Sequence, residues 1–141
     1  MSRNEDRRAQ AGPVPPKVSS YDFEAFYGAI AQHELRMPRC LGCGALQHPP
    51  GPMCPECNGM AFEQQLCSGR ARLYSYTVIH HPPLYGFPTP HVVALAEMEE
   101  GFRLLAGLVD GDRIEIEIGM PLTLRFVEQE DGVPSYRFVA E

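Results

Sequence analysis

The sequence predicts a mainly β chain with one N-terminal helix (α+β), in which a small metal-clipped module precedes a five-stranded barrel. Three observations carry this. Two Cys-x-x-Cys pairs, Cys40/Cys43 and Cys54/Cys57, stand ten residues apart. From Ser68 onward, runs of β-branched and aromatic residues alternate with turn signals. The 141 residues include 14 Pro and 13 Gly, and proline well above its usual share of roughly 5% favours turns and short elements over a helical bundle.

Residues 1–17 are polar and then Pro-rich (GPVPPK), the composition of a disordered tail and a stiff linker. A helix is expected within residues 18–38. Ser19 is placed to N-cap it, with Asp22 three positions on as in a capping box, and Val18 and Phe23 are spaced as a hydrophobic staple. Phe23, Phe26, Tyr27 and Ile30 follow the i, i+3, i+4, i+7 spacing of one apolar face. Pro38 should stop the helix near Met37, because the residue before a proline is pushed out of the α region. Two uses for this aromatic face are open: packing on the body of the same chain, or docking on a partner protein, where aromatics are enriched.

Residues 39–66 hold the cysteines. Four thiolates complete the tetrahedron that Zn²⁺ prefers. Gly42 and Gly44 flank Cys43, where backbone N–H groups can fold over the sulfur, and Pro52 and Pro55 bracket Cys54 and stiffen its turn. Two such knuckles facing each other make a zinc ribbon. Iron of the rubredoxin kind is the alternative, since tetrahedral S₄ also suits it. A catalytic zinc keeps one position open for water, and four cysteines leave none. The expected Zn²⁺ is therefore structural, and structural zinc in general contributes on the order of 10 kcal/mol to folding.

Residues 67–141 read as the barrel. SGRARLYSYTVIHH (68–81) is rich in β formers, and HVVALAEME (91–99) and FRLLAGLV (102–109) are joined by the hairpin signal Glu100-Gly101. RIEIEIG (113–119) alternates Ile with charge, PLTLRFVE (121–128) alternates apolar with polar residues, and SYRFVA (135–140) follows the turn EDGVP. About five strands in so short a stretch suit an OB-like small barrel.

Other candidate chemistry is thin. Cys67 has no base near it in sequence and reads as a small core residue rather than a nucleophile. His48, in QHPPGP, reads as a loop residue. His80, His81 and His91 flank the Pro-rich loop 82–90, but adjacent strand histidines point to opposite faces, so that loop reads as a rigid binding loop or an ordinary one. No phosphate loop, dinucleotide fingerprint or Gly-x-Ser-x-Gly is present, and an independent enzyme is not expected.

Charge narrows the partners. From Ser68 to the end there are six arginines, no lysine and eleven acids. A nucleic-acid binder needs cations to release counterions from phosphates, so none is expected as partner. A nucleic-acid-binding ribbon and barrel is kept as the second reading, on Tyr74 and Tyr76, which plain alternation puts on one strand face where bases stack. No run of about 18 apolar residues marks a membrane span and no apolar segment marks a signal peptide. A cytoplasmic chain is expected, where paired cysteines mean metal rather than disulfides.

The order of parts resembles a known family. CLGCGALQHPP (40–50), CPEC (54–57), SGRARLYSYTVIH (68–80) and EIGMPLTLRF (117–126) together resemble the domain-of-unknown-function-35 family, a zinc ribbon plus OB-fold associated with acyl-CoA enzymes, over about residues 20–139. The resemblance implies a non-catalytic accessory subunit that pairs with a thiolase-fold enzyme (thiolase, aldolase or acyltransferase) in a hetero-oligomer, a heterotetramer by the dimeric habit of such enzymes. It implies Cys40, Cys43, Cys54 and Cys57 as zinc ligands. The helix residues Phe23, Phe26, Tyr27 and Ile30 would be the docking element, and the domain would help form the channel for the partner's acyl-CoA. Arg70 and Arg72 are the candidates to meet CoA phosphates.

Overall fold

The computed structural model describes residues 21–81, 89–128 and 134–141. The predicted tail, and the cap and staple residues Val18 and Ser19, lie outside them. The helix α1 spans Tyr21–Ala31, and Phe26, Ala29 and Ile30 line its buried face. It ends six residues before the predicted stop at Met37. His33 takes a left-handed φ of 59°, the Glu34 N–H donates to the Ala29 carbonyl at 2.9 Å and the His33 N–H to the Ile30 carbonyl at 3.0 Å. That is a Schellman end built on histidine, so no glycine announces it.

The chain then enters strand β1 (Leu35–Cys40), which pairs antiparallel with β2 (Phe62–Cys67). Pro38 is thus a strand residue and not a helix stop. A proline is tolerated there because its position faces away from β2. Its carbonyl accepts from the Gln47 N–H at 3.0 Å on the opposite side, so the ladder loses no donor.

The barrel follows from β3 (Arg70–Ile79), β4 (His91–Met98), β5 (Arg103–Gly107), β6 (Pro121–Glu128) and β7 (Pro134–Ala140). Their order is β5-β4-β3-β6-β7. The Val109 N–H reaches the Phe138 carbonyl at 2.9 Å, and Leu108 bridges to Phe138, so the two end strands nearly close the sheet on itself. Five strands form this barrel, as expected. Residues 113–119 are not one of them. Ile114 and Ile116 turn toward the core without a ladder, while Ile118, which alternation would also turn inward, is 64% exposed. The segment is held at its end instead, where the Gly119 N–H donates to the Leu73 carbonyl at 2.7 Å.

One apolar cluster runs through all three parts. Phe26 and Ile30 of α1, Leu35 and Met37 of β1, and Leu73, Leu104, Leu122 and Phe138 of the barrel are buried together. The ribbon is therefore packed on the barrel through α1 and the base of β1.

Candidate metal centre and its surroundings

Each Cys-x-x-Cys closes a tight knuckle. The Gly44 N–H donates to the Cys40 carbonyl at 2.8 Å, and the Asn58 N–H to the Cys54 carbonyl at 2.9 Å. The residue just past each second cysteine takes a positive φ, 78° at Gly44 and 63° at Asn58, which glycine and asparagine tolerate best. β1 delivers Cys40 directly from a buried strand end, and the second knuckle is folded back by Cys54 N–H donating to the Gly59 carbonyl at 2.8 Å.

The four sulfur atoms all lie within 4.8 Å of one another, with Cys40 Sγ and Cys57 Sγ at 3.5 Å and Cys43 Sγ and Cys54 Sγ at 3.6 Å. A tetrahedral Zn–S length near 2.3 Å implies sulfur separations of about 3.8 Å, so the four thiols fit the ion. Their electrostatics ask for one. The Cys43 backbone N–H, against the opposing effect of burial, holds the Cys40 thiol down at about 7. The Gly59 N–H favours the Cys57 thiolate, yet the neighbouring thiols outweigh it and push Cys57 up to about 12. Four thiolates this close repel one another, and a divalent cation deprotonates them together. Space beside them is tight enough to favour glycine. A Cβ on Gly59 would sit 3.2 Å from Cys40 Sγ and 3.3 Å from Cys57 Sγ. Among the described residues these cysteines are the only group of three or more metal-ligating side chains, so His80, His81 and His91 do not form a second site there.

The helix residues divide. Phe26 is 3% exposed and Ile30 fully buried, both in this chain's own core, while Phe23 and Tyr27 are partly buried against it. The docking role expected of Phe26 and Ile30 is therefore corrected: their apolar surface is consumed internally. The outward side carries Glu24, Ala25 and Gly28. Arg70 and Arg72 both line an open groove at the end of the barrel, but Arg70 pairs with Glu99 at 3.1 Å and Arg72 donates to the Gly119 carbonyl at 3.1 Å. Glu97, Glu99 and Glu141 line the same groove, so its charge balance does not favour a polyphosphate.

Tyr74 and Tyr76 are not on one face. The β3–β4 register slips between Leu73 and Ser75, making Tyr74 the extra residue of a bulge. Its ring lies under the Arg103 guanidinium at 3.8 Å. Tyr76 pairs with buried Ala94 and lines the barrel mouth with Val78, His80, Val92 and Ile116. The stacking platform on which the nucleic-acid reading rested is absent.

Cys67 is buried, and burial followed by the Glu100 charge pushes its thiol up to about 11. It is the small core residue expected. His48 is more than a loop residue. Its ring lies 5.6 Å from Phe26 and 6.3 Å from Phe102, wedged between α1 and the barrel, and its Nδ1 is buried without a hydrogen-bond partner among the described residues. The only sequence signal was a histidine held in place by the two prolines after it. Residues 82–88 of the Pro-rich loop lie outside the described residues.

Comparison with known proteins agrees with this order of parts. The family described as the rubredoxin-like zinc ribbon domain of ChsH2 matches residues 28–63, and that described as the C-terminal OB-fold domain of ChsH2 matches residues 64–127. A DUF35 domain-containing scaffold protein of Methanothermobacter thermautotrophicus is 39% identical over 113 residues, covering 76% of this chain and 85% of that one. The chain belongs to the DUF35 family. A solved relative of this DUF35 protein, the Ltp2-ChsH2(DUF35) aldolase, superposes with a TM-score of 0.82 at 38% identity, covering 89% of this chain and 98% of the other. A probable enoyl-CoA hydratase alpha subunit of Thermomonospora curvata is 40% identical over 116 residues, 82% of this chain but 36% of its own length. The DUF35 chain thus spans about a third of that relative. Among the described residues no helix is long and apolar enough to cross a membrane.

Proposed function

We propose that this DUF35 chain is an accessory subunit that binds and stabilises a thiolase-fold acyl-CoA enzyme and helps shape its acyl-CoA site, making no bonds itself. The observation that carries this is the ribbon tip. Leu41, Met53 and Met60 are 57%, 46% and 69% exposed around a four-thiol site that has no open position. These large exposed side chains around a rigid clip are the surface proposed to meet the partner, and a saturated zinc has no catalytic vacancy. The relatives support the choice of partner. One is the Ltp2-ChsH2(DUF35) aldolase, and the benzoylsuccinyl-CoA thiolase subunit BbsA of Thauera aromatica is 33% identical over 113 residues. The assembly proposed is a heterotetramer, a dimer of the enzyme carrying two accessory chains. Arg70 and Arg72 are the proposed contacts to CoA; each would exchange its present acceptor for a phosphate, and cations of the partner enzyme would offset Glu97, Glu99 and Glu141 in the same groove.

The test is an affinity pull-down of the tagged chain from its own cell extract, with co-purifying proteins identified by mass spectrometry. A thiolase-fold enzyme in stoichiometric amount is the expected result. A partner-free monomer, or one carrying nucleic acid, overturns the proposal. Turnover of acyl-CoA thioesters by the isolated chain, abolished by His81→Ala, overturns its non-catalytic part.

A further inference from the structure

The ribbon sheet has only two strands, and its two edges are treated differently. On the β1 side the chain covers itself: Gln47 N–H donates to the Pro38 carbonyl at 3.0 Å, Cys40 N–H donates to the Ala45 carbonyl at 2.9 Å, and Arg39 bridges to Leu46. These bonds also reveal the phase of the ladder. Pro38 and Cys40 direct their main-chain groups away from β2, so the residues opposite them, Gln64 and Phe62, direct theirs away from β1. Leu66, opposite Arg36, has the same phase. The N–H and C=O groups of Phe62, Gln64 and Leu66 therefore form a row on the far edge. Among the described residues no further strand pairs with that row.

Exposed edges are normally blunted by lysine, proline, a bulge or a covering loop. β2 reads Phe-Glu-Gln-Gln-Leu-Cys, with neither lysine nor proline, and its register with β1 is unbroken. Leu66 on this edge is 57% exposed. Beside it lies a groove of about 450 Å³, whose lining includes Glu24, Ala25, Pro38, Met60, Phe62 and Gln64. A row of main-chain donors and acceptors next to an apolar groove is the pattern that strand addition uses: the backbone pairs, and alternate side chains enter pockets.

We infer that the far edge of β2 is a strand-addition site, on which an extended segment of the partner enzyme pairs with Phe62–Leu66 as the third strand of the ribbon sheet. Its alternate side chains are apolar, to fill the groove, and a basic residue faces Glu24. A second copy of this chain suits the edge less well, since it brings another Glu24 to the seam between chains that each carry a net −6. The inference rests on the accessory role proposed above and adds the mode of docking.

The test uses the full chain and the thiolase-fold enzyme that co-purifies with it. Hydrogen exchange is followed amide by amide, free and in the complex, and affinity is measured for the natural chain and for Gln64→Pro. That substitution removes an outward N–H and no bond to β1, so one zinc per chain and an unchanged melting temperature are expected. The Gln64 and Leu66 amides should slow at least about tenfold in the complex, and Gln64→Pro should bind at least about tenfold more weakly, the order expected for losing main-chain pairing in a desolvated interface. The exchange measurement stands even where the variant folds poorly. A complex in which both amides exchange at their free rates overturns the inference and leaves the accessory role intact. So does a homodimer dissolved by Gln64→Pro, which would make the occupant a second copy. Failure to capture any thiolase-fold enzyme sinks the accessory role, and this docking mode with it.

Discussion

His48 ties three parts of the chain together at the scale of one side chain. It leaves the ribbon loop and inserts between Phe26 of α1 and Phe102 at the β4–β5 turn. Burial disfavours the imidazolium and holds its pKa below the ordinary 6.5. The unfolded chain then takes up this proton first as the pH falls. Stability from His48 is thus complete above about 6.5 and is lost as the pH drops through the lowered folded value. Replacing it with phenylalanine keeps the aromatic wedge and removes the proton. The fall in melting temperature from about pH 7.5 to about pH 5.5 should be smaller for His48→Phe than for the natural chain; an equal fall would mean that the ring stays neutral or exposed in both states. The zinc thiolates also titrate in acid, but identically in both proteins, so the difference isolates His48. The two prolines after His48 were the only local sign of this role, because both of its ring neighbours arrive from distant parts of the chain.

The helix α1 has a buried face that packs on this chain's core and an exposed face that the proposed docking would use. Phe26 touches Phe23, Tyr27, His48 and Tyr136 through ring contacts of 5.1–6.5 Å. Phe26→Ala should cost about 3–5 kcal/mol, the range for emptying a buried aromatic site, measured by chemical denaturation. Ala25 is exposed and lines the groove beside β2. Ala25→Arg should leave the denaturation midpoint unchanged while weakening capture of the enzyme. Loss of stability in Ala25→Arg, or full stability in Phe26→Ala, would reverse the assignment of the two faces. The periodicity of Phe23, Phe26, Tyr27 and Ile30 was legible as a single apolar face. Whether that face met this chain or another was not, since a spacing rule reports that a face exists and says nothing about what covers it.

For the whole molecule, the decisive feature is that ribbon and barrel share one core. Leu35 and Met37 lie on the strand that delivers Cys40 to the metal, and they pack with α1 and the barrel. Zinc removal by a chelator, or Cys54→Ser, should therefore speed amide exchange in β1, β2 and α1 together. The paired strands β3 and β4 should keep their protection. A ribbon that loosens alone, with α1 unchanged, would show that the clip acts only on its own module.

What the sequence by itself determined is what short spacing determines. Cys-x-x-Cys twice, with glycine and proline in the turns, defines a four-thiol site because each knuckle closes within a few residues. Alternating apolar residues define barrel strands because the pleat has period two. The tertiary structure alone decided four other things. It ended α1 at Ala31, through a left-handed His33. It turned Pro38 into a strand residue. It left residues 113–119 without a ladder. It sent Tyr74 and Tyr76 to different faces through one bulged residue. Each depends on which distant segment supplies a hydrogen bond or a packing surface, and neither propensity nor periodicity encodes that choice locally.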